Sequence, residues 1–176
     1  MNTEEQTKPA EVTLTEPATP PPPATLHELL AMAIKDFREV LSDPHYRVCM
    51  NLWYDERKEE GICYVCLAGA FVSQRMKPVG DQICWETVPP EWQRALEALN
   101  FVRAGYVTQA LGEYYCNKNS PGKGHDPASI RALGKRIGTV YGHPLARTSP
   151  RFDSTNPEPF LRYLDSVHAH LEAITL

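Results

Sequence analysis

Apolar residues recur at every third or fourth position in several stretches of the chain, and this spacing predicts amphipathic helices. The first predicted helix runs from Leu26 to about Leu41. Thr25 and Glu28 suit a capping box at its start, in which each side chain accepts a hydrogen bond from a backbone N–H. The sequence Ser42-Asp43-Pro44 follows and ends the helix, because a residue before proline disfavours helical backbone.

The same spacing predicts three further helices. They run from Glu91 to about Tyr115, from Pro127 to at least Ile137, and from Pro159 to Ile174. Gly105 weakens the first of these helices. Asp126 stands at the N-cap position of the second, just before a proline that is favourable in a first helical turn.

The region 46–65 admits two interpretations. Residues 46–54 alternate apolar and polar side chains, which predicts one short strand, and the charged run 55–60 with Gly61 predicts a solvated turn. Residues 62–65 either pair back as a hairpin or belong to a helix that starts at Cys63 and continues to Met76. We favour the helix, since the small residues at 68–70 suit close helix packing.

Together these elements predict a mainly α fold: about five helices in one compact domain over residues 25–176, with one short strand or hairpin near 46–65. Residues 1–24 are rich in Pro, Thr and Glu and end in Pro20–Pro23, so we expect a disordered tail. The proline run could dock on a partner that reads extended proline segments, but a solvating leader is the simpler interpretation.

The formal net charge of −4 is unevenly distributed. The segment 118–151 is basic and has Asp126 as its single acidic residue, whereas the rest of the chain is acidic. This excess of positive charge predicts an anionic ligand or partner. A basic surface that only balances the charge of the rest of the fold would have the same composition. Five cysteines at irregular spacings, with no leader and no long apolar stretch, predict a cytoplasmic protein with free thiols and no membrane anchor.

The strongest candidate for ligand binding is the glycine-containing loop 120–126 and the helix that follows it. Glycines let backbone amides turn toward a ligand, and a helix N-terminus attracts anions, although Asp126 at the cap would repel them. The loop is not a Walker sequence, so ATP hydrolysis is not implied. We predict that a nucleotide-type anion is held by Lys123, Gly124, His125, Arg131, Lys135 and Arg136, with Tyr115 or Tyr141 against the base.

Cys63 and Cys66 form a CxxC motif at the start of a predicted helix, where the helix dipole favours a reactive thiol. The motif lacks the strand–helix–strand setting of a thioredoxin-like site, and the remaining cysteines are single. Thiol redox chemistry and structural zinc are therefore alternatives to simple packing, which we favour. The sequence contains no familiar catalytic motif, and we expect no cofactor and no metal.

Three segments carry a resemblance over about residues 26–112. They are Asp43-Pro44-x-Tyr46 with Met50 and Trp53, Cys63-x-Val65-Cys66-Leu67-Ala68-Gly69-Ala70, and Ala98-Leu99-Asn100-x-x-Arg103-x-Gly105. In these segments the chain resembles a group of small uncharacterised proteins encoded by tailed phages and prophages. The group carries no established catalytic residues. The resemblance implies a context in which small proteins bind a host factor, block an immune effector or sequester a nucleotide signal.

We therefore expect a non-enzymatic, phage-type accessory protein with an anti-defence role in the host cytoplasm. It would bind a nucleotide-type small molecule or a host protein through the segment 118–151. The alternatives are a small enzyme, either a CxxC thiol redox protein or a hydrolase of a phosphorylated compound, and a structural module that forms a homo-oligomer. The acidic surroundings argue against a nucleic-acid partner, and no membrane partner is expected.

Overall fold

The computed structural model describes residues 20–75, 85–117, 119–122, 127–139, 145 and 148–172. Within these residues, six α-helices and a three-stranded sheet follow one another as α1 (Leu26–Ser42), β1 (Tyr46–Val48), β2 (Tyr54–Arg57), β3 (Ile62–Val65), α2 (Leu67–Arg75), a 3-10 turn (Trp85–Thr87), α3 (Pro90–Ala104), α4 (Val107–Tyr115), α5 (Pro127–Thr139) and α6 (Glu158–Glu172). The predicted mainly α class is confirmed. None of these helices is long and apolar enough to cross a membrane.

The first helix forms as predicted because its cap and its apolar stripe agree. The Glu28 N–H donates to Thr25 Oγ1 over 3.1 Å, and the Thr25 N–H donates to Glu28 Oε2 over 3.3 Å, which completes the capping box. The apolar stripe of α1 faces α2, α3 and α6 in the core. Its buried apolar members are Leu26, Leu29, Leu30, Ala33, Ile34, Phe37 and Val40.

One charged residue, Asp36, lies on the buried side of α1. Arg75, the last residue of α2, donates two hydrogen bonds to its carboxylate, over 2.8 and 2.9 Å. Burial raises the pKa of Asp36, and the hydrogen bond and charge of Arg75 oppose that rise. The bidentate pair fixes the end of α2 against the middle of α1.

The sheet differs from the prediction in its extent. The predicted strand over 46–54 is confined to β1, and part of the charged run that was predicted as a turn forms β2 instead. β1 lies parallel to β3, and β2 lies antiparallel to β3 on its other side, so the strand order is β1-β3-β2. The hairpin interpretation is therefore confirmed for β2 and β3, and β1 joins them through a non-local parallel pairing.

The helix predicted from Cys63 is wrong over its first residues, which form the central strand β3. Burial alternates along this strand, with Cys63 and Val65 inside, and both neighbouring strands satisfy its backbone. β-branched and aromatic side chains at 62, 64 and 65 also favour a strand. The helix begins only at Leu67, and the predicted small residues 68–70 lie in its buried first turns.

The helix predicted over 91–115 is two helices, which makes the count six in the described residues rather than about five. Gly105 has a left-handed φ of 86° and ends α3, and the Tyr106 N–H donates to the Phe101 carbonyl over 2.8 Å in the closing turn. A Cβ at position 105 would also lie 2.6 Å from the backbone nitrogen of Ser149. α4 then packs back against α3.

The ends of the chain are described only in part. α5 and α6 start at or next to the predicted residues, whereas the predicted cap Asp126 and residues 173–176 lie outside the described residues. Residues 1–19, most of the predicted disordered tail, lie outside them as well. Residues 20–24, which the prediction assigns to the tail, contact α3 and α4 through the carbonyls of Pro20 and Pro23.

His27 of α1 and His168 of α6 stack where the two helices pack together. Their ring centroids are 4.0 Å apart, with 15° between the ring planes, and Nε2 of each ring is buried with no partner among the described residues. Burial, followed by the charge of His27, lowers the pKa of His168, while Glu172 and Asp165 oppose this effect. The folded state therefore favours a neutral imidazole at His168.

This pair predicts a loss of stability in mild acid. Because the pKa of His168 is lower in the folded than in the unfolded chain, the unfolded chain takes up the proton first as the pH falls below about 6.5. The free energy of unfolding should then fall by up to about 1.4 kcal/mol for each unit of pKa difference. We expect the Tm of the wild type to drop more between pH 8 and pH 5 than that of His168→Phe, which keeps the stacked ring but does not titrate. Parallel Tm profiles for the two proteins would contradict the prediction.

Candidate functional site

An open cavity of about 340 Å³ lies between the segment 50–53, the start of α2, the 3-10 turn and α3. Its volume is at the small end of the range of about 300–1,000 Å³ that is usual for small-molecule sites. The lining combines apolar, aromatic, amide, thiol and guanidinium groups. The lining residues are Met50, Asn51, Leu52, Trp53, Cys66, Trp85, Asn100 and Arg103.

The segment 49–53 forms one wall of the cavity and is held by its backbone from three sides. The Cys49 N–H donates to the Val65 carbonyl over 2.9 Å, which continues the β1–β3 pairing. The Cys66 N–H donates to the Trp53 carbonyl over 3.4 Å at the start of α2. On the third side, Arg103 Nη1 donates a hydrogen bond to the carbonyl of Met50.

Gly69 allows this wall to approach α2. A Cβ built at position 69 would lie 1.7 Å from the carbonyl oxygen of Trp53 and 3.3 Å from Cβ of Val65. No side chain fits at this position unless the backbone of segment 49–53 moves away. Glycine at position 69 therefore permits the close approach of segment 49–53 to α2, in addition to the close helix packing that the sequence suggested.

Arg103 is a half-buried cation without an anionic partner among the described residues. Its Nη1 donates to a carbonyl, and its Nε is buried with no acceptor in the described part of the chain. Arg94, also half buried on α3, pairs with Glu97 over 2.8 Å and with Glu113 over 3.3 Å. Since partly buried charges are normally paired, Arg103 is the unusual arginine of α3.

Two indole rings form the aromatic part of the cavity lining. Trp53 and Trp85 meet edge to face, with ring centroids 5.3 Å apart and 81° between their planes. Nε1 of Trp53 is buried and has no hydrogen-bond partner among the described residues. The aromatic surface of the cavity therefore lies beside buried hydrogen-bond donors that have no acceptor in the described part of the chain.

Cys66 and Asn100 contact each other at the cavity. The Cys66 thiol donates to Asn100 Oδ1 over 3.8 Å, which leaves the amide nitrogen of Asn100 as a further donor. Burial raises the pKa of the Cys66 thiol, and the N–H groups at the start of α2 and the charge of Arg103 only partly offset this rise. The thiol is therefore neutral near pH 7, so it is not the anion that Arg103 would neutralise.

The two thiols of the CxxC motif have different surroundings. Both are free and buried, and burial raises the pKa of each. The thiol of Cys63 interacts with the Tyr54 hydroxyl on β2, whereas that of Cys66 interacts with Asn100 on α3. In the described residues, no three His, Cys, Asp or Glu side chains come together as a metal site.

The structure describes only part of the binding site predicted from the sequence. Lys123, Gly124, His125 and Tyr141 lie outside the described residues. Arg131, Lys135 and Arg136 are exposed on α5. Tyr115 is only 8% exposed, and its hydroxyl accepts a hydrogen bond from the Leu26 N–H over 2.8 Å. Tyr115 is thus mostly buried, and its contact with a ligand base stays a prediction.

Of the residues that line the cavity, sequence reasoning weighed chemistry only for Cys66, as part of the CxxC motif, and favoured simple packing for it. A usable signal was present in α3, where Asn100 and Arg103 continue the helical spacing of the buried residues Leu96 and Leu99. Polar groups on an otherwise apolar stripe indicate either a buried pair or a site. All three segments that carry the resemblance contribute to the cavity lining.

Comparison of the chain with protein-family models, curated proteins and solved structures finds no match.

The close approach at Gly69 predicts a severe effect of a single methyl group. Gly69→Ala should lower the free energy of unfolding by at least about 3 kcal/mol, because the added Cβ overlaps the Trp53 carbonyl. The Tm should fall by roughly 6–12 °C. Gly112→Ala is the matched control, since its Cβ meets nothing within 4 Å and should stabilise α4 by about 0.5–1 kcal/mol. Equal Tm values for the two variants would disprove the close contact.

Burial of the CxxC thiols predicts slow alkylation. We expect iodoacetamide at pH 7.5 to modify Cys63 and Cys66 at least about tenfold more slowly than the partly exposed Cys49. The physical reason is that burial blocks access and also raises the pKa of both thiols. Peptide mass spectrometry over a time course measures each rate separately. Preferential labelling of Cys66 would instead support the thiol-enzyme alternative.

Proposed function

We propose that this chain is a non-enzymatic binding protein that holds one anionic small molecule with a planar ring, such as a nucleotide, in the cavity beside Arg103. The observation that carries the proposal is the half-buried guanidinium with no carboxylate partner among the described residues. A bound anion would supply that partner. This location replaces the loop 120–126 as the preferred site, while the ligand class predicted from the sequence stays the same.

Three features of the cavity support an anionic, ring-bearing ligand. Hydrogen bonds between a cation and an anion contribute about 1.5–3 kcal/mol each when they exclude water. The indoles of Trp53 and Trp85 offer ring surface for a planar group. Asn100 adds an amide donor that can distinguish one ring edge from another. The volume accommodates one ligand about the size of a mononucleotide.

Binding without turnover is supported by the kinds of group at the cavity. Its lining, as described, includes no carboxylate and no histidine that could act as a general base. The Cys66 thiol in this lining has a raised pKa and donates to an amide oxygen, which disfavours a nucleophilic role. Sequestration of a nucleotide signal would suit a phage-type accessory protein with an anti-defence role, and that context is part of the proposal.

A second candidate is an anionic host protein that contacts α5. Arg131 and Lys135 are one helical turn apart and both exposed, which is a geometry that can steer an acidic partner. Exposed cations have a lower desolvation cost than Arg103 and therefore need no ligand to compensate them. The cavity is for this reason the stronger candidate.

Titration calorimetry with AMP, GMP and inorganic phosphate tests the proposal. We expect one nucleotide per chain, and Arg103→Met should weaken binding by about 10- to 150-fold through loss of charge-assisted hydrogen bonds. Arg103→Lys keeps the charge, so its loss of affinity should be smaller than that of Arg103→Met. Native mass spectrometry of the purified chain would show any ligand that co-purifies.

Two matched variants separate the candidate surfaces. Arg47→Ala removes an exposed arginine whose described hydrogen bonds also go to backbone carbonyls, so it controls for net charge. The double variant Arg131→Ala with Lys135→Ala removes charge from α5. Loss of binding in the α5 variant together with wild-type binding by Arg103→Met would place the ligand on α5. If the wild type binds none of AMP, GMP and inorganic phosphate, these compounds are rejected as ligands of the chain.

A further inference from the structure

The last residues before α1 are held by aromatic side chains of two other helices. The Trp92 indole Nε1 donates to the carbonyl of Pro20 over 2.8 Å, and the Tyr114 hydroxyl donates to the carbonyl of Pro23 over 2.6 Å. Pro22, between these anchors, is buried. The segment therefore lies in a groove, which we name the proline groove, formed by Trp92 and Tyr114, with Tyr115 packed against Tyr114.

The spacing of the two anchored carbonyls matches the polyproline II helix. Four consecutive prolines favour this conformation, because the ring fixes φ and each proline restricts the residue before it. A polyproline II helix has three residues per turn, so in this conformation the carbonyls of Pro20 and Pro23 would point to the same side. Proline has no N–H, and these carbonyls are the backbone groups through which such a segment can be bound.

The donors of the proline groove are fixed in place by the rest of the core. Phe71 packs against Trp92 with ring centroids 5.5 Å apart, and Tyr115 packs edge to face against Tyr114 at 5.2 Å. The Tyr115 hydroxyl is held by the Leu26 N–H over 2.8 Å. Burial raises the pKa of Tyr114, so its hydroxyl keeps the proton that it donates.

We propose that the proline groove is a polyproline-recognition site, occupied in this chain by its own residues Pro20–Pro23, and that a proline-rich peptide can take the same place. Two donors three residues apart along the ligand, backed by aromatic rings, are the features by which proteins read extended proline segments. From the sequence, an external partner that binds the proline run was only an alternative to a solvating leader. In this proposal the binding site is in the same chain.

The covalent link between Pro20–Pro23 and α1 determines how well a separate peptide can compete for the proline groove. Pro23 is separated from α1 only by Ala24 and Thr25, so the internal segment is present at a high effective concentration. A peptide in solution should therefore bind weakly to the wild type and more tightly once the internal segment is weakened. The proline groove does not share a lining residue with the cavity beside Arg103, and the two proposals are independent.

The experiment uses the full chain and a fluorescent peptide with the sequence of residues 18–25, Ala-Thr-Pro-Pro-Pro-Pro-Ala-Thr. In one variant all four residues Pro20–Pro23 are replaced by Gly, which keeps the length but removes the preorganised helix. Fluorescence anisotropy should show saturable binding to this variant and at least about tenfold weaker binding to the wild type. A peptide with alanine in place of the prolines serves as the ligand control.

Variants of the anchors locate the binding. In the glycine background, Trp92→Phe or Tyr114→Phe keeps a ring but removes one donor, and each should weaken peptide binding about two- to tenfold. Arg47→Ala in the same background removes an exposed arginine outside both sites and should not change peptide binding. A folded glycine variant that fails to bind the peptide, equal binding by the wild type, or binding insensitive to both anchor variants would overturn the proposal.

A second measurement keeps the proposal testable if the glycine variant does not fold cooperatively. The indole N–H of Trp92 in the wild type should be protected from exchange with solvent, and excess peptide should shift its NMR resonance. The signal is assigned by its disappearance in Trp92→Phe. An indole N–H that exchanges as fast as that of free tryptophan would show that the groove is empty in solution and would reject the proposal.

Discussion

The close contact between the Trp53 carbonyl and the start of α2 is the interaction on which the cavity depends. It exists because Gly69 has no Cβ, and because β3 ends where α2 begins, so that the Cys66 N–H can face the same carbonyl. Once Trp53 is held there, its indole reaches Trp85, and the preceding residues lie within reach of Arg103. A backbone contact between a loop and a helix thus determines where aromatic and charged groups meet.

If the proposed function holds, the position of Arg103 is a compromise between folding and binding. A guanidinium that is half removed from water loses hydration, and a single carbonyl recovers only part of that loss. A carboxylate in the same place would stabilise the fold but would fill the site with a permanent counter-ion, as Glu97 and Glu113 do for Arg94. The protonated thiol of Cys66 next to it does not have that effect. A cation that has no anionic partner in the described part of the chain and lies beside open volume is therefore more informative about function than exposed cations on α5.

The parts of the fold that the sequence predicted are those set by neighbours along the chain. The capping box at Thr25 and the stripe of α1 are local, and they appear as expected. The parallel pairing of β1 with β3 joins segments that are not adjacent in sequence, so no local pattern indicates it. For this reason the CxxC motif, whose first cysteine lies in β3, was predicted as the start of a helix. The cavity was missed for a similar reason, because it gathers Met50, Cys66 and Arg103 from three separate elements and no local pattern shows that they meet. The proline run was recognised as an extended segment, but its anchors Trp92 and Tyr114 lie far along the chain.

Helix α3 connects the two surfaces to which the proposals refer. Trp92 in its first turns and Arg103 in its last turn are eleven residues apart, which places them on the same side of the helix and about 16 Å from each other along its axis. The helix is anchored at one end by the carbonyl of Pro20 and at the other by the carbonyl of Met50. A peptide in the proline groove therefore does not obstruct the cavity sterically. Any influence of one ligand on the other would have to pass through a shift of α3 itself, and both anchors oppose such a shift.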